Sequence, residues 1–280
     1  MRLDVYLYEQ GYAESRARAK FLICEGAVDV DGKTVKKPAY EIDEAAHEIT
    51  VRAAACPFVS VGGMKLDAAL SRFNIDVKDA VCIDIGASTG GFTDCLLSRG
   101  AAKVYAVDSG TSQLHERLVN DPRVISMENT NARYITSDDL GCKVTLAVCD
   151  VSFISQKLIL PTVVSVLEPN GCFVTLIKPQ FELDKRRVGR GVVSEPSDRA
   201  EAVFGVVAAA ANVGLELAEL TVSPVSGGGI NDERAAKRGN TEYLACFRFT
   251  NDTCVRVSER EIREFVKNEN SIDLTARNKG

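Results

Sequence analysis

Val81-Cys-Ile-Asp-Ile-Gly-Ala-Ser-Thr-Gly-Gly91 is the stretch that decides the fold. A short apolar run carries Asp84 near its end, and glycines follow at Gly86, Gly90 and Gly91. That order predicts a buried parallel strand that leaves a sheet edge, turns tightly and opens a helix near Phe92. Glycine suits such a turn because the backbone bends sharply and passes close to a ligand, where a Cβ would collide. The helix start would aim its free N–H groups at the same ligand.

A glycine-rich turn of this kind serves phosphates, dinucleotides and S-adenosylmethionine alike, so the order of residues must discriminate. The pattern is Asp-x-Gly-x-x-x-Gly-Gly, not G-x-G-x-x-G, and no Gly-Lys-Ser/Thr ending follows to hold a triphosphate and its magnesium. A carboxylate at Asp84 repels phosphates and suits a ligand with a cationic amino group and a sulfonium. A second apolar run, Lys103-Val-Tyr-Ala-Val-Asp108, ends in an acid where doubly wound folds bind ribose hydroxyls. The two acids and the glycines therefore favour S-adenosylmethionine over NAD or ATP. The expected cofactor-binding set is Asp84, Gly86, Ala87, Ser88, Gly90, Gly91, Phe92 and Asp108, joined by Asn131 and Asp150 at later strand ends.

Composition narrows the chemistry. The 280 residues are 45% hydrophobic and 26% charged, room for two domains of which one buries a full α/β core. No apolar run nears the roughly 20 residues that span a bilayer, and the N-terminus lacks a signal peptide's apolar core, so a cytoplasmic protein is expected. Nine scattered cysteines without a C-x-x-C pair read as free thiols, not as a disulfide frame or a zinc site. With only two histidines, His47 and His115, acid–base work falls to Lys, Asp, Glu or Tyr, and no metal is expected. A net charge of −5 leaves any nucleic-acid binding to local basic patches.

Residues 1–58 read as a unit of their own. Leu3 to Gly11 forms a short helix stopped by glycine, and Ser15 is a plausible N-cap for the helix Arg16 to Glu25, which Gly26 ends. Ala27 to Val35 is a hairpin around Asp31-Gly32, and a strand runs from Glu48 to Val51. The string Leu-Asp-x-x-Leu, Ser-Arg-x-x-Ala, Gly-x-Val-x-Val-x-Gly and Lys-Pro between Arg2 and Tyr40 resembles the S-four-like (αL) RNA-binding domain. That resemblance implies that the second helix and the hairpin meet RNA, through Arg16, Arg18, Lys20, Lys33, Lys36 and Lys37. Residues at i, i+2 and i+4 do not share one narrow helix face, so these three helix cations cannot all meet one phosphate.

Pro57, Gly62 and Gly63 mark a boundary, with residues 59–63 expected as linker. A helix from Met64 to Phe73 follows, which places Lys65 in its first turn. Strands are expected at Val81–Ile85, Val104–Val107, Val124–Met127, Val144–Cys149, Cys172–Ile177, Leu217–Val222 and Tyr243–Phe249, with helices at Gln156–Val166 and Asp198–Ala211 among those between. This alternation means a mostly parallel sheet covered on both faces, with the ligand at the strands' carboxyl ends. Just past those ends come Asp84, Asp108, Asn129, Asn131, Asp150 and Lys178. An antiparallel last strand would bring Glu242 to the same edge. A buried lysine beside an acid is an expensive placement without a partner, so a Lys178–Asp150 pair is expected. Lys185-Arg-Arg-Val-Gly-Arg190 reads as a flexible basic loop, with Arg187 and Arg190 as candidate RNA contacts. Residues 64–252 would form the catalytic domain and 253–280 a helix and tail.

Phe58-Val-Ser-x-Gly-Gly-x-Lys-Leu, Asp84-Ile-Gly-Ala-Ser-Thr-Gly-Gly-Phe-Thr-Asp, Cys149-Asp-Val-Ser-Phe-Ile-Ser, Ile177-Lys-Pro-Gln-Phe-Glu and Gly-Asn-x-Glu-Tyr-Leu together resemble the TlyA (haemolysin A-like) family. The resemblance covers nearly the whole chain. It implies a Rossmann-like, FtsJ-like S-adenosylmethionine-dependent methyltransferase sheet behind a small α+β RNA-binding domain, acting on a ribose 2′-hydroxyl, of cytidine, in the ribosomal RNA of ribosomal subunits. It also implies a Lys-Asp-Lys-Glu tetrad on Lys65, Asp150, Lys178 and Glu242, with Lys178 taking or orienting the hydroxyl proton. The sequence departs from the family at Val61, where an arginine is usual, and in a longer Gly227–Arg238 segment. A membrane-active haemolysin and an RNA-binding protein with an inactive methyltransferase domain are the alternatives.

Overall fold

The computed structural model describes residues 1–13, 16–24, 26–43, 47–51, 57–189, 191–224, 240–250, 256–268 and 272–273. The N-terminal unit packs α1 (Leu3–Glu9) and α2 (Arg16–Cys24) against β1 (Val28–Val30), β2 (Lys33–Thr34) and β3 (Ile49–Val51), in the antiparallel order β2-β1-β3. The hairpin forms because Asp31 and Gly32 both take left-handed backbone (φ 51° and 73°), the twist that a two-residue loop demands. Leu3, Leu7, Ile23 and Val28 are its fully buried core. Ser15, the expected cap of α2, lies outside the described residues.

The larger unit runs α3 (Val61–Arg72), β4 (Val81–Ile85), α4 (Gly91–Ser98), β5 (Lys103–Val107), α5 (Glu116–Val119), β6 (Val124–Met127), α6 (Ser137–Leu140) and β7 (Val144–Cys149). It continues with α7 (Leu160–Val166), β8 (Leu167–Ile177), α8 (Pro179–Glu182), α9 (Pro196–Asn212), β9 (Leu215–Val222), β10 (Tyr243–Phe249), the helix Glu259–Asn268 and β11 (Ile272–Asp273). Its strands form one sheet in the order β11-β9-β10-β8-β7-β4-β5-β6. The five from β8 to β6 are parallel, whereas β10 runs antiparallel to both β8 and β9. The class is α/β, as expected.

Side-chain alternation explains the layers. Along β4, Cys82 packs into the core under α3 and α4, while Ile83 and Ile85 face the opposite core with α7, α9 and the helix Glu259–Asn268. With both faces covered, β4, β5 and β7 read as near-continuous apolar runs. Phe173 of β8 and Phe247 of β10, opposite each other in register, stack at 6.0 Å.

Three expectations need correction. Helix α3 starts at Val61, so Gly62 and Gly63 belong to a helix and not to a linker. A Cβ on Gly63 would strike the Phe58 ring, and glycine there lets the chain turn back onto its own helix. Lys65 consequently sits in the second turn, clear of the unfavourable helix start. The helix expected over Gln156–Val166 is broken: a single 3₁₀ turn, Gln156–Leu158, precedes α7, because Pro161 favours a fresh helix start. The basic stretch after α8 is not a free loop. Lys185–Arg187 forms a 3₁₀ turn capped by the Asp184 carboxylate, and Arg187 is ion-paired to Asp198 and Glu201 of α9. The Gly227–Arg238 segment and Arg190 lie outside the described residues.

Candidate active site

The turn after β4 is shaped by two left-handed glycines, Gly86 (φ 85°) and Gly90 (φ 93°). The Gly86 and Ala87 amides both donate to the Val107 carbonyl, which pins the turn to the end of β5. A Cβ on Gly86 would lie 2.8 Å from the Asp150 carbonyl oxygen, so only glycine lets the β4 and β7 ends approach. Asp108 then closes the other side. Its Oδ2 accepts from the Ser88 amide (2.8 Å) and its Oδ1 from the Gly110 amide (2.7 Å).

Beside this turn lies a cavity of about 380 Å³ lined by Gly86, Ser88, Asp108, Asn131, Asp150 and Phe153, among others. Ala87, Gly90, Gly91 and Phe92 do not line it; they lie one layer back, with Phe92 buried in the core beneath α3. Asn131 accepts from the Arg133 amide (3.2 Å) and caps the 3₁₀ turn Ala132–Tyr134. Glu128 receives the amides of Ser112, Gln113 and Leu114, which fixes the loop that carries the cavity-lining Gln113.

Asp84 is fully buried and does not line the cavity. Its Oδ2 accepts from the Thr93 hydroxyl (2.7 Å), while Oδ1 is buried without a partner. Burial pushes its carboxyl up to about 7, against the pull of the Thr93 hydrogen bonds. The folded protein therefore keeps a proton that the unfolded chain has released near pH 4. Native stability from this group is full below that value and is lost as pH rises to about 7, by roughly 4 kcal/mol in total. Asp84→Asn should remove this dependence: melting temperatures of variant and parent should agree near pH 4 and diverge in the variant's favour by pH 8. Parallel melting curves across that range would show that Asp84 is ionised in the free protein.

The second half of the site is a row of charges at the carboxyl edge. Tyr243 pairs with Ile177, which sets Glu242 beside Lys178 at the ends of β10 and β8. Lys65, from the second turn of α3, donates to Glu242 Oε2 at 2.5 Å, and both are buried. Lys178 Nζ lies 2.5 Å from Asp150 Oδ1, a charge contact without hydrogen-bond alignment, and donates to Ser152 Oγ at 3.0 Å. Lys65, Asp150, Lys178 and Glu242 thus form two neighbouring ion pairs, and Asp150 also lines the cavity. Ser152 escaped the reading of the sequence. Its signal was present in the Asp-x-Ser spacing, which returns the hydroxyl to the side of the carboxylate.

One aromatic ring, that of Phe153, lines the cavity. Phe153 is 92% exposed, with left-handed backbone (φ 65°), and its ring lies 5.2 Å from that of Phe181. Tyr134, 72% exposed, carries the Arg133 guanidinium over its ring.

The residues expected to meet RNA are distributed more widely. Lys20, Lys33, Lys36 and Lys37 are exposed; Arg16 is exposed and approaches buried Asp4 at 3.5 Å; the Arg18 side chain lies outside the described set. Arg187 is committed to its ion pairs with α9. Among the described residues no cluster could hold a metal ion, and no helix is long and apolar enough to cross a membrane. None of the seven described cysteines is in a disulfide.

Residues 58–249 match the FtsJ-like methyltransferase family model, and residues 1–47 match the S4 domain. The chain is 41% identical over 252 residues to the 16S/23S rRNA (cytidine-2′-O)-methyltransferase TlyA of Mycobacterium tuberculosis, covering 90% of this chain and 91% of that one. It is 39% identical to Hemolysin A of Brachyspira hyodysenteriae, covering 88% and 99%. A solved Streptococcus thermophilus structure described as a hemolysin superposes with a TM-score of 0.74 at 40% identity, covering 96% and 95%. The chain belongs to the FtsJ-like methyltransferase family, beside the TlyA and hemolysin A proteins, with an S4 domain ahead of its methyltransferase domain.

Proposed function

We propose that this protein methylates a ribose 2′-hydroxyl, that of a cytidine, in ribosomal RNA with S-adenosylmethionine as donor, in the cytoplasm. The observation that carries the reading is the Lys178–Asp150 pair at the edge of the cavity, with Lys65–Glu242 beside it. The residues present fit the cofactor. Asp108 lines the cavity and offers carboxylate acceptors for ribose hydroxyls, whereas Asp84, buried behind the turn, does not reach it. Gly86, Ser88 and Asn131 would hold the remainder. When bound, S-adenosylmethionine supplies a methyl group on a positively charged sulfur, activated toward a nucleophile approaching in line.

A ribose hydroxyl is a weak nucleophile, and the chain's task is to hold it and remove its proton. In its neutral form Lys178 Nζ receives that proton as the oxygen attacks, and Asp150, 2.5 Å away, stabilises the ammonium that results. Ser152 fixes the direction of the amine, and the Lys65–Glu242 pair keeps a second cation beside the reacting oxygen. The S4 domain would dock RNA through Arg16, Arg18, Lys20, Lys33, Lys36 and Lys37, with Arg187 and Arg190 left as secondary contacts. The resulting salt dependence should be steep.

The test is direct. Incubation with radiolabelled cofactor and separated ribosomal subunits should label RNA, and the label should map to a phosphodiester that resists alkaline cleavage. Base-linked label would overturn the reading.

Phe153 bears on the substrate. A ring this exposed beside the cavity suits stacking of a target base withdrawn from its neighbours. Phe153→Ala should lower kcat/KM for RNA by about 10- to 100-fold, the worth of one stacking contact. The melting temperature should hardly move, since so little of the ring is buried. An unchanged kcat/KM would remove the ring from substrate binding.

A further inference from the structure

One carboxylate stitches the loop after β7 to the turn after β8. Glu182, the last residue of α8, accepts from the Ser155 hydroxyl through Oε2 (2.6 Å) and from the Gln156 amide through Oε1 (2.7 Å). Gln156 is itself buried, and its side-chain amide donates to the Leu176 carbonyl within β8 at 3.2 Å. The Phe153–Phe181 contact joins the same two segments.

This stitching matters because of what the loop carries. Asp150 and Ser152, the groups that meet Lys178 Nζ, lie at its start, and Ser155 and Gln156 at its end. Between them Phe153 holds a left-handed backbone (φ 65°), which is strained for a residue with a side chain and persists only where neighbours enforce it. Lys178 itself is four residues before Glu182, on the other segment. Both Glu182 oxygens are engaged, and the residue does not line the cavity, so it is not placed to meet substrate.

We propose that Glu182 is a positioning residue for methyl transfer: its carboxylate ties the Asp150–Gln156 loop to the Lys178–Glu182 turn and so fixes where Asp150 and Ser152 meet the Lys178 amine. This rests on the reading of Lys178 given above. Burial pushes the Glu182 carboxyl up, while the hydrogen bonds from Ser155 and Gln156 pull the other way.

The experiment uses the full chain with radiolabelled S-adenosylmethionine and the RNA substrate, comparing Glu182→Ala, Glu182→Gln, Ser155→Ala and Lys178→Ala. Glu182→Ala should lower kcat about 10- to 100-fold, the cost of displacing reacting groups by a fraction of an ångström to one ångström, and should leave both KM values within a few-fold. Glu182→Gln should restore most of the rate. Its amide oxygen still accepts from the Gln156 amide, and its NH₂ can donate to the Ser155 oxygen. Ser155→Ala, which removes one of the two ties, should fall between parent and Glu182→Ala, and it serves as the readout if Glu182→Ala does not fold. A parental kcat in Glu182→Ala or, failing that variant, in Ser155→Ala overturns the inference. Equal impairment of Glu182→Gln and Glu182→Ala also overturns it, since the charge would then matter and not the tie. Full activity in Lys178→Ala would instead sink the assignment of Lys178, which separates the two failures.

Discussion

Lys178→Ala should abolish methyl transfer, by at least about 10³-fold in kcat, while the protein still binds S-adenosylmethionine. The magnitude follows from removing both a positioned proton acceptor and the group that orients the hydroxyl. Binding should survive because the amine touches Asp150 and Ser152, whereas Gly86, Ser88, Asp108 and Asn131 line the cavity without it. The fold should survive as well: the Asp150 side chain keeps 21% exposure, so water can solvate the carboxylate once its partner is gone. Lys178→Arg should not rescue. A guanidinium stays protonated at any working pH, and its planar fork cannot occupy the place of a single amine. Calorimetric titration of the cofactor beside a single-turnover methylation assay checks both halves. Loss of binding together with turnover would make Lys178 a structural strut between two strand ends.

Much of the site could be read from the sequence because it is built at strand ends, where apolar runs stop. Asp108, Asp150 and Lys178 each lie just past such a stop and Asp84 one residue before one, and strand boundaries in a buried parallel sheet are sharply marked. Glu242 was reachable through one inference, that the last strand reverses; its register against β8 then leaves no freedom. What escaped the sequence were contacts set by tertiary approach. Gly62-Gly63 has the look of a linker, yet it opens α3, because close packing against Phe58 decides the matter where local propensity would not. Arg187 looks like a free cation in a run of basic residues, yet Asp198 and Glu201, one turn apart on α9 and 11 and 14 residues along the chain, present a helix face that meets it only after folding. The depth of Asp84 is likewise invisible, since a strand-end acid can point into a cavity or under a turn with the same sequence.

Glu242→Leu should be the most destabilising single change at the site, by about 3–5 kcal/mol, and the reason lies in what it leaves behind. Lys65 is 7% exposed, and its ammonium has Glu242 as its ion-pair partner at 2.5 Å. Removing the acid strands a charge where water hardly reaches, and that cost exceeds the net worth of the pair itself. For a domain of this size such a loss lowers the melting temperature by roughly 6–20 °C. The double variant Lys65→Met/Glu242→Leu should recover most of it, because two apolar side chains of similar volume carry no desolvation penalty. A thermodynamic cycle over the four proteins should therefore show a coupling of about 2 kcal/mol or more, far above what distant sites give. Activity should not follow stability. The double variant should fold well and yet methylate no better than Glu242→Leu, since the pair is held at the reacting edge at a cost to the fold. If the two substitutions simply add, the ammonium is not confined in the way the structure describes. If the double variant regains turnover, the pair serves the fold alone and the chemistry rests on Lys178 and Asp150.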